Sequence, residues 1–148
     1  MSFVRDIESD ARSRLAKLSW NATAVEVASL LGNPHTPLVV VCDSQGVAIG
    51  VITRTDIVKL FSRKQGDAFI ENAGGLMTQP VIGCRSDETL ESVWQSLNER
   101  GVQCAPVLDV DGRPHGIIHA RDVVRALLDE VVHEEDLLRD YVLGVGYR

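Results

Sequence analysis

Aromatic residues are scarce in this chain of 148 residues: three Phe, two Trp and two Tyr, 5% in all. Its core must therefore rest on Val, Ile, Leu and Ala, and the frequent valines point to strands. Cysteine is as sparse. Cys42, Cys84 and Cys104 are odd in number and lack Cys-x-x-Cys spacing, which speaks against a disulfide framework and for reduced, partly buried thiols in a cytoplasmic protein. Long apolar runs are missing. The longest clear one, Leu38 to Cys42, is far too short to span a bilayer, so no membrane partner is expected. The charges at Arg5, Asp6 and Glu8 do not fit a signal peptide. Positive charge is in deficit, with 15 Lys and Arg against 21 Asp and Glu, a net −6. An acidic surface repels phosphate backbones, so nucleic acid is not an expected partner. A small phosphate-bearing ligand stays open, because a local pocket can oppose the global sign.

Catalytic signatures are missing too. There is no GxxxxGK[ST] loop, and Gly74-Gly75 alone reads as a connection. His115 and His119 lie four apart on one side of a strand. With Cys84 or Cys104 they would be the nearest thing to a metal site, but an edge histidine and a cleft histidine is the plainer reading. His35 and His133 have no visible partner. Neither catalytic residues nor a metal site are therefore expected, and the chain reads as no enzyme. Arg12, Arg14 and Lys17 read as a solvated basic face.

What is present is an ordinary globular balance, 45% hydrophobic and 24% charged, in a length that allows one domain or two small ones sharing a core. A gapless repeat decides between these. Sliding Leu18–Val58 onto Cys84–Val124 makes ten of 41 positions identical, against about three expected by chance at ordinary residue frequencies. The matches include Thr23/Thr89, Val27/Val93, Leu31/Leu97, Asp43/Asp109, Gly46/Gly112, Gly50/Gly116 and Asp56/Asp122, positions that punctuate structure.

One unit reads as follows. A short apolar leading strand, Ala16–Leu18 or Val81–Cys84, precedes a capping threonine, Thr23 or Thr89. Ala24, Val27, Ala28 and Leu31, like Leu90, Val93, Trp94 and Leu97, then form one helical stripe that fills a core. The helix stops near Gly32 or Gly101. A β-branched strand follows, then a tight Asp-x-x-Gly turn at Asp43–Gly46 or Asp109–Gly112. A third strand and a second helix, opening at Thr55 or Arg121, complete a β-α-β-β-α unit. One such unit cannot bury both sides of its sheet, but two packed face to face can. The expected architecture is an α/β (α+β) fold of two units with pseudo-twofold symmetry. The first spans 1–62, a partly flexible connection 63–76, the second unit 77–129, and a long C-terminal helix and tail 130–148. The apolar stripe of that last helix either covers its own domain or forms a dimer contact.

Two stretches carry a family likeness: Gly50-Val51-Ile52-Thr53-Arg54-Thr55-Asp56-Ile57-Val58 and Gly116-Ile117-Ile118-His119-Ala120-Arg121-Asp122-Val123-Val124. With Ala105-Pro106-Val107-Leu108-Asp109 and Leu76-Met77-Thr78 they resemble a tandem pair of cystathionine-β-synthase (CBS) domains, a Bateman module, over nearly the whole chain. The resemblance implies a stand-alone regulatory module that requires no cofactor. It would bind an adenosine-containing ligand (AMP, ADP, ATP, NAD or S-adenosylmethionine) between the repeats. It also implies a homodimer and an output to an unknown effector protein. Carried over by residue, Thr53, with Thr55 beside it, contacts phosphate and Asp56 the ribose, with Val81, Ile82, Cys84 and Ala105 as the opposite wall. The second site takes Asp122, with Leu18, Ser19 and Val39 opposite. There His119 replaces Thr or Ser, and it either donates to phosphate, better when protonated, or blocks the site. Gln103 and Cys104 stand where relatives offer a basic residue, and Arg54 and Arg121 are the substitutes. A carboxylate at a helix N-terminus suits a vicinal diol, and the helix end suits phosphate. Each Asp equally serves as a helix cap with no ligand. The alternative function is an interaction scaffold with vestigial clefts.

Overall fold

A computed structural model describes residues 1–146. Its elements run α1 (Glu8–Ser13), β1 (Lys17–Ser19), α2 (Ala24–Leu31), β2 (Leu38–Cys42), β3 (Ala48–Thr53), α3 (Arg54–Lys64), α4 (Ala73–Leu76), α5 (Leu90–Arg100), β4 (Cys104–Leu108), β5 (Pro114–His119) and α6 (Ala120–Gly146). This is the expected mixed fold of two similar units and a long last helix. The local causes match as well. Thr23 Oγ1 accepts from the Glu26 amide at 3.1 Å, and Thr89 Oγ1 from the Ser92 amide at 3.2 Å, so each helix begins at its capping threonine. The Asp43 and Asp109 carboxylates each accept two amide hydrogen bonds inside their turns, the local bonding that makes Asp a turn former.

In the first sheet β1 pairs parallel with β2, and β2 antiparallel with β3. The second sheet is β4 antiparallel to β5. Every residue of β2 is buried, because each face has its own neighbour. Val39 and Val41 point to α2 and the first core, whereas Leu38, Val40 and Cys42 meet Ile117 of β5 in a layer between the sheets. A full burial of such a side chain contributes about 1.5–3 kcal/mol. The two turns also touch, through Ala48 N–H to Gly112 O (3.0 Å) and Arg113 Nε to Gln45 O (3.0 Å).

Three expectations need correction. Val81–Cys84 is not a strand: among the described residues, Cys84 makes only an isolated parallel bridge to Val107. In the first repeat Val40 N–H donates to Ala16 O at 2.9 Å. Pro106 occupies the place of Val40 in the second repeat and has no N–H to give Ile82, so that ladder cannot extend. Segment 63–76 is more than a connection. It holds the end of α3, a 3-10 stretch (Gln65–Ile70) and α4, and it buries Ala73 and Leu76 in the first core. Finally, the leading segments are exchanged between the repeats. Val4 and Ala11 pack in the second core, while Met77 packs on the first. A Cβ on Gly116 would lie 3.0 Å from Ala11, and one on Gly50 2.5 Å from Met77 Sδ. This close approach explains why both repeats carry glycine there.

Candidate functional site

Thr53 ends β3 and Asp56 opens α3. The Thr53 amide and hydroxyl both donate to Asp56 Oδ2, at 2.9 and 3.2 Å. Asp56 thus ties the strand to the helix, as the capping reading expected, and its carboxylate is already engaged. The equivalent place in the second repeat is built differently. His119 Nδ1 accepts from the Arg121 amide at 3.0 Å, so a ring nitrogen does the capping. Asp122 is then free to turn inward. At 7% exposure it is buried and forms an ion pair and hydrogen bond with Arg14. Arg14 follows α1 as its C-cap. Its expected place on a solvated face is therefore wrong: the packing of Ala11 against Gly116 carries it across to the second repeat.

Between the repeats lies one continuous cleft of about 830 Å³, a size that suits a small organic ligand. Six of the expected residues line it: Thr53, Arg54, Thr55, Ile82, His119 and Arg121. Asp56 and Asp122 are not lining residues, and neither is Val81. Cys84 and Ala105 are buried and line a separate cavity of about 160 Å³. Val39 is fully buried toward the first core, Leu18 packs against the same core, and Ser19 is exposed at the end of β1. The leading strand and its partner are therefore structural, and the cleft opens on the other side of them.

Its electrostatics were only partly expected. Arg14, Arg54, Arg100 and Arg121 line the cleft, and none of its lining residues is Asp or Glu. In a chain of net charge −6 this is a local reversal of sign. Arg54 is fixed by three carbonyls, its Nε on Leu31 O (2.9 Å) and its Nη2 on Asn33 O (2.8 Å) and Thr36 O (2.9 Å). Its charge is thus positioned without being cancelled by an acid. Burial, and then the Arg121 charge, hold His119 below the ordinary histidine range. At neutral pH it is therefore an uncharged ring that accepts at Nδ1 and can donate from Nε2. The imidazolium role expected for it does not fit this environment. Burial pushes the Cys104 thiol up to about 11 and the Cys84 thiol up to about 12, so neither is a thiolate nucleophile. His115 pairs instead with Glu8 at 3.2 Å. Among the described residues no three His, Cys, Asp or Glu gather to hold a metal, and no helix is long and apolar enough to cross a membrane.

The sequence model of the CBS domain matches residues 5–63 and 73–129. The chain belongs to the CBS-domain family. An uncharacterized 17.7 kDa protein of Acidianus ambivalens is 33% identical over 136 residues, 92% of this chain and 81% of that protein. Among solved structures, the CBS-pair protein CBSX2 of Arabidopsis thaliana, in complex with AMP, superposes with a TM-score of 0.74 at 26% identity, over 87% of this chain and 98% of that one. A homoserine O-acetyltransferase of Methanohalobium evestigatum is 29% identical over 93 residues, but these are only 17% of the enzyme. The likeness thus touches a minor part of that protein. Within this CBS pair the two Thr-x-x-Asp positions have diverged. One keeps Thr53 at the cleft, and the other offers His119 with its Asp122 already paired.

Proposed function

We propose that this CBS pair is a regulatory module, not an enzyme, and that it binds an adenosine-containing anion in its cleft: AMP, ADP, ATP or NAD. One observation carries the reading: four arginines and no acid line a cleft between the repeats of an acidic protein. The AMP bound by CBSX2 supports the adenosine part. Arg100 and Arg121 are the phosphate ligands, because among the described residues neither is held by a carboxylate or carbonyl and both line the cleft. Thr53 and Thr55 offer hydroxyls at the first repeat's end. S-adenosylmethionine is disfavoured, since its sulfonium would meet Arg54, Arg100 and Arg121, which no carboxylate pairs among the described residues. Both repeats contribute walls, so a ligand stabilises one arrangement of them by no more than its affinity difference between arrangements. The output passes to an effector protein or to a second copy of the chain.

A ligand-free scaffold is the second reading. It is favoured by the internal engagement of both Asp56 and Asp122. Thermal shifts with AMP, ADP, ATP, NAD and S-adenosylmethionine separate the two. A ligand at a hundred times its Kd adds about 2.7 kcal/mol, or roughly 5–10 °C in Tm for a chain of this size. Arg121→Ala removes a charge-assisted contact and weakens binding about tenfold or more. No shift with any of the five ligands rejects the sensor for the scaffold, and a preference for S-adenosylmethionine rejects the anion reading.

A further inference from the structure

The cleft arginines are not equivalent. Arg14 is paired with Asp122, whereas Arg54 is committed to one stretch of chain. Its Nε donates to Leu31 O at 2.9 Å, and its Nη2 to Asn33 O at 2.8 Å and Thr36 O at 2.9 Å. Three of the five guanidinium N–H groups are thus engaged by the segment that leads from α2 into β2. That segment needs the strut. Leu31 is the last residue of α2, so no amide of the helix reaches its carbonyl. The next amide in line, that of His35, donates instead to Asn33 Oδ1 at 2.9 Å. Pro34 and Pro37 have no N–H to give. The Thr36 amide folds back on Asn33 O at 3.0 Å, and Asn33, Pro34 and His35 are all exposed. One side chain at the head of α3 therefore ties down the start, middle and end of an exposed turn.

The second repeat lacks this device. There Leu97 stands for Leu31, but α5 runs on to Arg100 and stops at Gly101, whose φ of 64° is left-handed. Arg100 takes the place of Pro34, and Ala120 that of Arg54. The cleft thus has two unlike ends. One is the pinned turn, which brings Pro34, His35 and Pro37 to the cleft beside Leu38 and Val51. The other carries the cations Arg100 and Arg121. The turn's end is uncharged apart from Arg54 and offers an imidazole face, which suits a flat heterocycle. Thr53 is also the register partner of Leu38, so a sugar at the Thr53 hydroxyl has this turn beside it.

We propose that Arg54 is a positioning residue and not a phosphate ligand: it holds the turn 33–37 as a wall of the cleft, and His35 on that wall determines specificity as the face on which the ligand's base stacks. The base contact rests on the nucleotide reading above and says which end of the cleft takes the base. The pinning of the turn does not depend on that reading.

Two measurements on the full chain test it. Without nucleotide, amide exchange at His35 and Thr36 is followed by NMR in wild type, Arg54→Lys and Arg54→Ala. Lysine keeps the charge but cannot reproduce the fork. Both variants therefore exchange on the order of tenfold faster at these two amides, while β2 exchanges as in wild type. Calorimetric titration then compares ATP with inorganic tripolyphosphate, which has the phosphate chain and no base. Arg54→Lys and His35→Ala each weaken ATP on the order of tenfold and leave tripolyphosphate within about twofold. His35→Phe keeps a flat face and restores ATP binding. A general loss of structure would lower both probes together. Unchanged exchange at His35 and Thr36, full ATP affinity in Arg54→Lys, or an equal loss of both probes in that variant overturns the positioning role. Full ATP affinity in His35→Ala, or a wild type that binds the two probes alike, overturns the base contact. A wild type that binds neither probe rejects the nucleotide reading and the base contact with it, and the exchange rates still decide the role of Arg54.

Discussion

Arg14→Met tests how the second repeat is assembled. The substitution keeps the stem of the side chain and removes the guanidinium. It leaves Asp122, 7% exposed, without its partner. Removing one member of a fully buried ion pair costs about 3–5 kcal/mol. Arg14 retains 22% side-chain exposure, so water reaches one edge of the pair and part of the cost is relieved; about 2–4 kcal/mol is expected. For a chain of this length each kcal/mol moves Tm by roughly 2–4 °C. The expected loss in calorimetry is therefore about 5–15 °C. Asp122→Asn strands Arg14 instead, but at the cleft, where solvent is nearer, so its cost is smaller. The double variant removes both charges, and the two losses do not add; a coupling of about 1–3 kcal/mol is expected from the cycle. A Tm change within about 2 °C for Arg14→Met, or strict additivity in the double variant, refutes the pairing as a stabilising contact.

Two further outcomes follow from the same geometry. Burial lowers the His119 pKa in the folded chain, so the unfolded chain binds more protons as pH falls. Its contribution is complete above the unfolded value of about 6.5 and is lost as pH drops through the lower folded value; wild type should lose stability relative to His119→Gln on acidification across that window, and parallel urea midpoints would contradict this. Gly116→Ala places a methyl 3.0 Å from Ala11 backbone, which cannot yield easily, and should cost about 1–3 kcal/mol. Gly50→Ala meets Met77 Sδ at 2.5 Å and also Met77 Cβ at 2.7 Å, an atom that no side-chain rotation moves, and should cost at least as much. Urea midpoints that stay at the wild-type value in both variants would show that the leading segments do not pack as described.

The repeat made most of the architecture legible, because the residues that recur are those with local work: capping Thr, turn Asp and Gly, and helix-stripe Val and Leu. What it hid was long-range. The repeat legible from Leu18 onward does not extend to the preceding segments, although they too are equivalent, Ala11 packing on Gly116 as Met77 packs on Gly50. That exchange between repeats leaves no local pattern. It is also why Arg14 read as surface: its partner Asp122 lies 108 residues away. Pro106 was visible, but its consequence for the leading strand needed the register of β4 against Cys84. Composition misled at 63–76, where Ala73 and Leu76 are buried among the small and polar residues that suggested a flexible connection. The site residues fared unevenly for one reason. Family positions at the strand end, Thr53 and His119, reached the cleft, while those one turn into the helix became caps or ion pairs.

The pairing of Asp122 also bears on where a ligand can bind. A ligand that used Asp122 as a ribose acceptor would first have to displace Arg14 and exchange a charge-assisted contact for weaker neutral hydroxyl donors. At the first repeat the competitor is only the Thr53 amide and hydroxyl on Asp56, of which a hydroxyl can rotate away at small cost. Arg54, Arg100 and Arg121 remain available as a charged surface in both cases. The arrangement that disturbs least therefore places the ribose near Thr53, extends the anionic end over the arginines toward His119, and leaves the Arg14–Asp122 pair closed.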